Sequence, residues 1–581
     1  MADARRVSPV LMRLVRTLLP IALYLGVAFA LTAGVWHDPA HTWPGPQGDV
    51  YKFIDFMSWV PHAIAHGKDP FFMGVIDYPD GVNLTWETPA LLGDVLIWPF
   101  TALLGPLPAY NVFILLSITL DGWCTYLWLR RHVRSPWAAA PAALLIALGP
   151  WVAVHAQQLN LISFWPLPLI FMAAEDLLRG ERSRVWTGLV LGVLFAVQLY
   201  LAEELAVLAA IGLALAIVAT VLALGASIRP AIPRVVASGA IAIATAVVLT
   251  APLLIYQFRG PRRIHGIIHP PGFYVTDLQN FLIPTGVTWA WPQSVTAADV
   301  GAWSGPSEAV GYIGIPLLLI ALYAVVRWWR EPLVRIAGLT IAAAAILSLG
   351  PHLHIGGVDT GIRLPGVIFS RLPLLENLIP SRIALITAFG LAFLLAITLD
   401  RTLLRNPLRS VSTALVSVVG LAAIVSMVSQ LPLPASSTSI PAYFQPGGGA
   451  TRLPAGTVAL VAPYIDDGAV SPVVMLWQAE SDFHFALTDG LAITADANGN
   501  AAFLPTTPLR LAFDQIQLEG HLPAETAALR ESLLATMHAD NVSVIIVGPM
   551  QQRELAVEFI DWLTGRTPVD GEDVSVWSGP P

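Results

Sequence analysis

The chain has 581 residues, is 55% hydrophobic and only 12% charged, and carries a formal net charge of −8. A soluble protein of this size carries about twice that charged fraction, so a soluble enzyme is excluded and a polytopic integral membrane protein is expected. The one cysteine, Cys124, rules out an intrachain disulfide and a thiolate metal site, and no nucleic-acid partner is expected.

The first apolar segment, about Val15 to Val35, lacks a small-residue cleavage site and reads as a retained span. A short Trp/Pro-rich connection leads to Gly48-Asp49-Val50-Tyr51-Lys52-Phe53-Ile54-Asp55. Asp49 falls at a loop-to-helix junction, where it is expected both to cap the following helix and to be the candidate general base. Lys52 and Asp55 are its neighbouring candidates for substrate contact, with Asp55 one and a half turns on and pointing away from Asp49. Tyr51–Ile64 reads as an amphipathic helix lying on the membrane, with Phe53, Phe56, Met57 and Val60 on one side. Asp77-Tyr78-Pro79-Asp80-Gly81-Val82-Asn83 has strong turn chemistry. Ala90–Leu104 is short for a span and carries Asp94 and Pro99, so it is expected to be interfacial or re-entrant.

Eleven spans are expected, near 15–35, 110–129, 137–153, 161–178, 185–202, 205–225, 234–256, 309–327, 333–350, 381–399 and 411–430. Clusters at Arg5/6/13/16, Arg130/131/134, Arg179/182/184, Arg229/234, Arg327/330/335 and Arg401/405/409 then all lie in the cytoplasm by the positive-inside rule. The N-terminus is inside and the C-terminus outside. Outer loops cover 36–109, 257–308 and 351–380, and any chemistry belongs on that face. Glu203 and Glu204 lie between two spans with almost no loop around them, which points to a polar cavity or a partner. Arg259, Arg262, Arg263 and His265 gather cationic and titratable groups on the outer face, against the charge trend, and suit an anionic phosphate. Arg382 opens the tenth span from outside and is placed to reach the same phosphate. Asp121, inside the second span, requires a partner that the sequence does not name.

From Leu431 onward there are 5 Lys+Arg and 17 Asp+Glu, net −12; against −8 for the whole chain, this leaves +4 for the membrane part. Residues 1–430 are therefore expected to form the membrane domain and 431–581 an acidic extracytoplasmic α/β domain. Thr457–Ala462 and Val542–Val547 read as buried strands, Gln551–Leu563 as a helix and Val574–Trp577 as a last strand. Gly447–Gly449 reads as linker. The tail contains no phosphate loop, nucleophile elbow or metal-ligand spacing.

This pattern resembles the GT-C superfamily of polytopic glycosyltransferases, which includes the protein mannosyltransferases and the aminoarabinose transferase. The likeness covers about residues 10–430. It rests on the Asp in the first outer loop, the interfacial helices before the second span and the long loop between the seventh and eighth spans. Pro79-Asp80-Gly81-Val82-Asn83-Leu84, Ala109-Tyr110-Asn111, Leu374–Arg382 and, in the tail, Met475–Ser481 look like stretches of uncharacterised bacterial members. The resemblance implies an inverting transferase in the bacterial plasma membrane, with a sugar on a polyprenyl phosphate as donor and an extracytoplasmic glycan, lipid or protein as acceptor. Asp49 would be the base, and the Arg/His loop with Arg382 would hold the leaving phosphate. Many members carry a paired acidic motif where Val50 follows Asp49 here, which leaves divalent-metal use open. The rival readings are a transporter or flippase of lipid-linked glycan and a non-catalytic scaffold of the cell envelope.

Overall fold

The computed structural model describes residues 9–580 except 88, 271, 287, 290–299, 306–307, 406–410, 466–471, 497 and 504–505. Arg5, Arg6 and Arg409 of the expected cytoplasmic clusters lie outside the described residues. Contacts divide the chain into two units, each discontinuous in sequence: residues 1–36, 114–250 and 269–434, and residues 37–113, 251–268 and 435–581.

Each of the eleven expected spans contains a helix, though residues 161–165 and 309–314 at the starts of two of them are not helical. Five helical stretches are long and apolar enough to cross a membrane: Pro106–Arg130, Pro136–His155, Arg184–Leu201, Glu203–Arg259 and Pro380–Thr402. Leu18–Leu31, Ile315–Trp328, Pro332–Ser348 and Thr413–Met427 are shorter apolar helices. Starts follow local chemistry. Ser135 and Ser183 cap their helices by accepting backbone N–H bonds, and Pro136, Pro150, Pro166 and Pro332 stand near the first helical positions, where a missing N–H costs nothing. The expected 137–153 span is two helices, Pro136–Ala147 and Pro150–His155, because Pro150 supplies no N–H to continue the first.

In the first unit the Ala384–Arg405 helix is central, packing on Pro332–Ser348 and Pro136–Ala147. Trp128 stacks on Phe393 at 5.9 Å and meets Phe389 and Phe171 edge-on. Gly188 and Gly192 let the Arg184–Leu201 helix approach the backbone near Ser238 and Ala242; a Cβ on either would lie 2.7 and 2.5 Å from those carbonyl oxygens. Such small-residue contacts are how helices pack where apolar burial provides no drive. Val218, Leu222, Ile243 and Val248 remain exposed, as a surface solvated by lipid requires.

The second unit is built on a five-stranded sheet ordered Val569–Gly571, Val574–Ser578, Val544–Val547, Val458–Ala462, Ala486–Leu487. The last three strands are parallel, and Val458–Ala462 and Val544–Val547 are buried throughout. Continuous β-branched runs suit strands covered on both faces. Phe513, Phe559, Leu533 and Met537 fill the core beside Ile545. The first loop is joined to this sheet through its backbone. Val75 O accepts from Leu487 N at 2.8 Å and from Gln478 Nε2 at 2.7 Å, and Tyr78 N donates to Leu487 O at 3.1 Å.

Two expectations fail here. The Val50–Ala65 helix is not half-buried: twelve of its residues are buried, Asp55 and Ser58 among them, because Leu91–Leu104 and Val473–Glu480 both pack against it. Gly447–Gly449 is not a slack linker either. Gly449 lies against the Tyr443 ring, where no side chain would fit, and its N–H donates to Glu572 Oε2 at 2.7 Å.

Candidate functional site

Asp49 stands immediately before the Val50–Ala65 helix with φ −56° and ψ −17°, and its side chain makes no capping bond. The capping expectation is thus corrected. A cap needs extended backbone to swing its oxygen back to the first-turn N–H groups, and Asp49 is already helical. Its carboxylate instead faces Lys52, with Oδ1 3.7 Å from Nζ. The Lys52 side chain is 11% exposed and that of Asp49 36%. Burial works to lower the Lys52 pKa, but the charges of Asp49 and Glu87 outweigh it and hold the ammonium above its ordinary value.

Glu87 completes this group. It is 4% exposed, and its Oε1 accepts the Ile493 N–H. Burial pushes its pKa up to about 7, against the opposing pull of Lys52 and the Ile493 bond. A partly exposed carboxylate, a buried ammonium and a buried acid titrating near neutrality thus act on one another.

The segment carrying Glu87 also anchors the cationic loop. The Asn83 side chain caps the short turn Leu84–Trp86 by accepting from Thr85 N at 3.1 Å, and it donates to Pro261 O at 2.8 Å. Trp86 Nε1 donates to Gln257 O at 3.1 Å, and Gln257 Nε2 donates to Thr85 O at 2.9 Å. Arg262 Nη2 donates to Asp80 Oδ2 at 2.9 Å. Arg259, Arg263 and His265 present exposed side chains. Asp77, beside this pair, has its pKa pushed up to about 6 by burial, with Arg262 pulling the other way. Residues 83–87 therefore bond to the Arg259–His265 loop at one end and bring Glu87 to Lys52 at the other. Asp55 is fully buried with neither carboxylate oxygen hydrogen-bonded, and burial holds its carboxyl well above the usual range.

Arg382 and Glu204 meet in the first unit. Arg382, 8% exposed, donates through Nε to Glu308 Oε2 at 2.9 Å, through Nη2 to Glu308 Oε1 and through Nη1 to Glu204 Oε2. His155 Nε2 lies 3.9 Å from Glu308 Oε2, and His155 Nδ1 is 2.8 Å from Gln158 Oε1. Glu203 is adjacent in sequence and half-buried. Asp121 is fully buried and neither carboxylate oxygen makes a hydrogen bond, although the backbone N–H groups of Phe164 and Trp165 act on it electrostatically.

Sequence reasoning did not single out Glu87 or Glu308. Glu87 was one acid among eight in a long loop. Glu308 does carry a signal: it is an acid directly before a span, which complements Arg382 at the start of another. Among the described residues, no group of three or more His, Cys, Asp or Glu side chains is arranged to hold a metal ion.

A family model described as "Domain of unknown function (DUF6311)" matches residues 68–375. No curated protein matches. The arabinofuranosyltransferase AftD from Mycobacteria superposes with a TM-score of 0.57 at 16% identity, covering 100% of this chain and 40% of that one. The likeness is one of fold, and the chain spans about two fifths of that protein's length. The oligosaccharyltransferase AglB from Archaeoglobus fulgidus, in complex with an inhibitory peptide and a dolichol-phosphate, gives 0.47 at 14% identity, covering 96% and 71%. ArnT from Cupriavidus metallidurans bound to undecaprenyl phosphate gives 0.46 at 11% identity, covering 97% and 97%.

Proposed function

The chain belongs to the family described as "Domain of unknown function (DUF6311)", and on that premise we propose that it is a membrane glycosyltransferase of the GT-C type. It moves a sugar from a polyprenyl-phosphate donor to an extracytoplasmic acceptor. The observation that carries this reading is the Asn83–Glu87 segment, bonded to the cationic loop and bearing the acid that acts on Lys52 beside Asp49. Support comes also from the AftD-like fold and the sequence resemblance.

In this reading eleven crossings place the N-terminus in the cytoplasm and residues 431–581 outside the plasma membrane. Asp49 takes the proton of the acceptor hydroxyl as its oxygen attacks the anomeric carbon. The bond from that carbon to the phosphate oxygen breaks, and its electron pair leaves with the phosphate. One displacement inverts the anomeric centre. Lys52, with Nζ 3.7 Å from Asp49 Oδ1, stands beside the base as its cationic neighbour. Arg259, Arg263 and His265, exposed on the loop, receive the phosphate, while Arg262 holds the loop through Asp80. Arg382, engaged by two carboxylates, organises the membrane unit.

The test is transfer itself. Purified protein in nanodiscs is given polyprenyl-phosphate-linked sugars, and released polyprenyl phosphate is followed by mass spectrometry. Release that depends on an added acceptor supports the reading. Absence of release with every donor and acceptor class, from folded protein, refutes it.

A further inference from the structure

A cavity of about 520 Å³ opens in the second unit at the carboxyl end of the Val544–Val547 strand, where Pro549 leads toward the Arg553–Thr564 helix. Its size is that of small-molecule sites, and the carboxyl ends of parallel strands are where open α/β sheets bind ligands. Arg553, Asp570 and Asp573 supply its charged wall, and Ile440, Pro441 and Val574 its apolar one.

The charged wall is held in place before any ligand arrives. Arg553 Nη2 donates to Ser575 Oγ at 2.7 Å and lies 3.9 Å from Asp570 Oδ1, while Ser575 Oγ donates to that same oxygen. The turn bearing Asp573 is unusual. Glu572 and Asp573 have φ of 51° and 70°, a backbone that hairpin turns ordinarily give to Asn and Gly. Glu572 is fixed there by the Gly449 N–H at 2.7 Å and by Arg452 Nη2 at 2.8 Å. Non-glycine residues in such conformations persist only where the surroundings over-determine them, and they cluster at ligand clamps.

The wall chemistry selects the ligand. Two carboxylates beside one guanidinium repel an anion. A wholly apolar ligand would cover the remaining donors and acceptors of Arg553, Asp570 and Asp573 and offer them no replacement for water, which is costly. A ring with hydroxyls on its edge and C–H groups on its faces satisfies both walls at once. We propose that this cavity binds a neutral saccharide unit, at a site separate from the Asp49 group. The inference does not rest on the transferase reading, since a protein that catalyses nothing could still bind sugar here.

The experiment uses the full chain in nanodiscs and saturation-transfer-difference NMR with methyl mannoside, methyl glucoside and methyl arabinoside, with glucuronate and inorganic phosphate as anionic controls. At least one neutral glycoside should saturate with a Kd on the order of 1 mM, typical of a small ligand making few contacts. Arg553→Gln and Asp570→Asn should each weaken it about tenfold, the loss of one charge-assisted bond. Ser439→Trp, at an exposed position on the rim, should abolish binding by filling the cavity while leaving the melting temperature unchanged. The proposal is overturned if no neutral glycoside saturates the parent, if an anion binds more tightly, or if binding survives Ser439→Trp. Because no turnover is measured, failure here is distinct from failure of the transfer reading.

Discussion

Replacing Arg382 by Met removes the positive charge held between the Glu204 and Glu308 carboxylates. Arg382 makes three charge-assisted bonds, two to Glu308 and one to Glu204. Its loss strands a Glu308 side chain that is 3% exposed and a Glu204 side chain that is 21% exposed. Breaking a buried ion pair from one side typically costs about 3–5 kcal/mol, because the remaining charge stays buried without compensation. Two stranded carboxylates place Arg382→Met at the upper end of that range. Glu204→Gln leaves the Arg382–Glu308 pair intact, so about 1.5–3 kcal/mol, the worth of one hydrogen bond to a charged group, is expected. Thermal melting of the purified protein in a fixed detergent should rank the losses Arg382→Met, then Glu308→Gln, then Glu204→Gln. The Arg382→Met/Glu308→Gln double variant should fall short of the sum by about 0.5–3 kcal/mol, as for groups in direct contact. An Arg382→Met protein that melts like its parent, or additive losses, would refute the claim that this cluster is a coupled interior network.

The remaining predictions concern the second unit. The Glu87 carboxyl, raised from 4.5 to about 7 by burial, favours its protonated form in the folded state, so its stabilisation is full below pH 4.5 and is lost as pH rises through about 7. Glu87→Gln keeps an oxygen for the Ile493 N–H and should flatten the fall in melting temperature over that window; parallel curves for parent and variant would contradict the assignment. Arg259→Gln with Arg263→Gln should weaken binding of a polyprenyl-phosphate sugar and leave melting unchanged, both side chains being exposed. Unaltered donor binding would move the phosphate site elsewhere. Asp489→Leu should destabilise by about 3–5 kcal/mol, since it strands the buried Arg510 that Asp489 holds with two bonds of 2.9 Å. A stable Asp489→Leu protein would show that this pair contributes nothing.

The apolar helices were legible because long apolar runs bounded by arginines leave few alternatives, and the Val458–Ala462 and Val544–Val547 strands because short β-branched runs have few other uses. The partition into units was not legible. It depends on backbone bonds such as Val75 to Leu487, which join residues hundreds of positions apart and leave no local pattern. The burial of Asp55 was hidden for a related reason: periodicity shows one apolar face of a helix but not a second helix covering the other. Asp49, Lys52 and the Arg/His loop stood out by position and charge. Glu87 did not, because what sets it apart is its depth and its contact with Ile493, both properties of the folded chain.

The central claim, that Asp49 is the base of a sugar transfer, is tested most directly by one rate. Asp49→Asn keeps the size of the side chain and disturbs no cap, and it takes the charge out of the 3.7 Å contact with Lys52 at a side chain more than one-third exposed. The measurement is turnover of a polyprenyl-phosphate-linked sugar by parent and variant in the same nanodiscs, with melting temperature and donor affinity recorded alongside. The account predicts unchanged melting and donor affinity with turnover lower by about 10²–10⁴-fold, the contribution of a placed general base. Turnover within a factor of about two of the parent, far less than a lost general base removes, would contradict it.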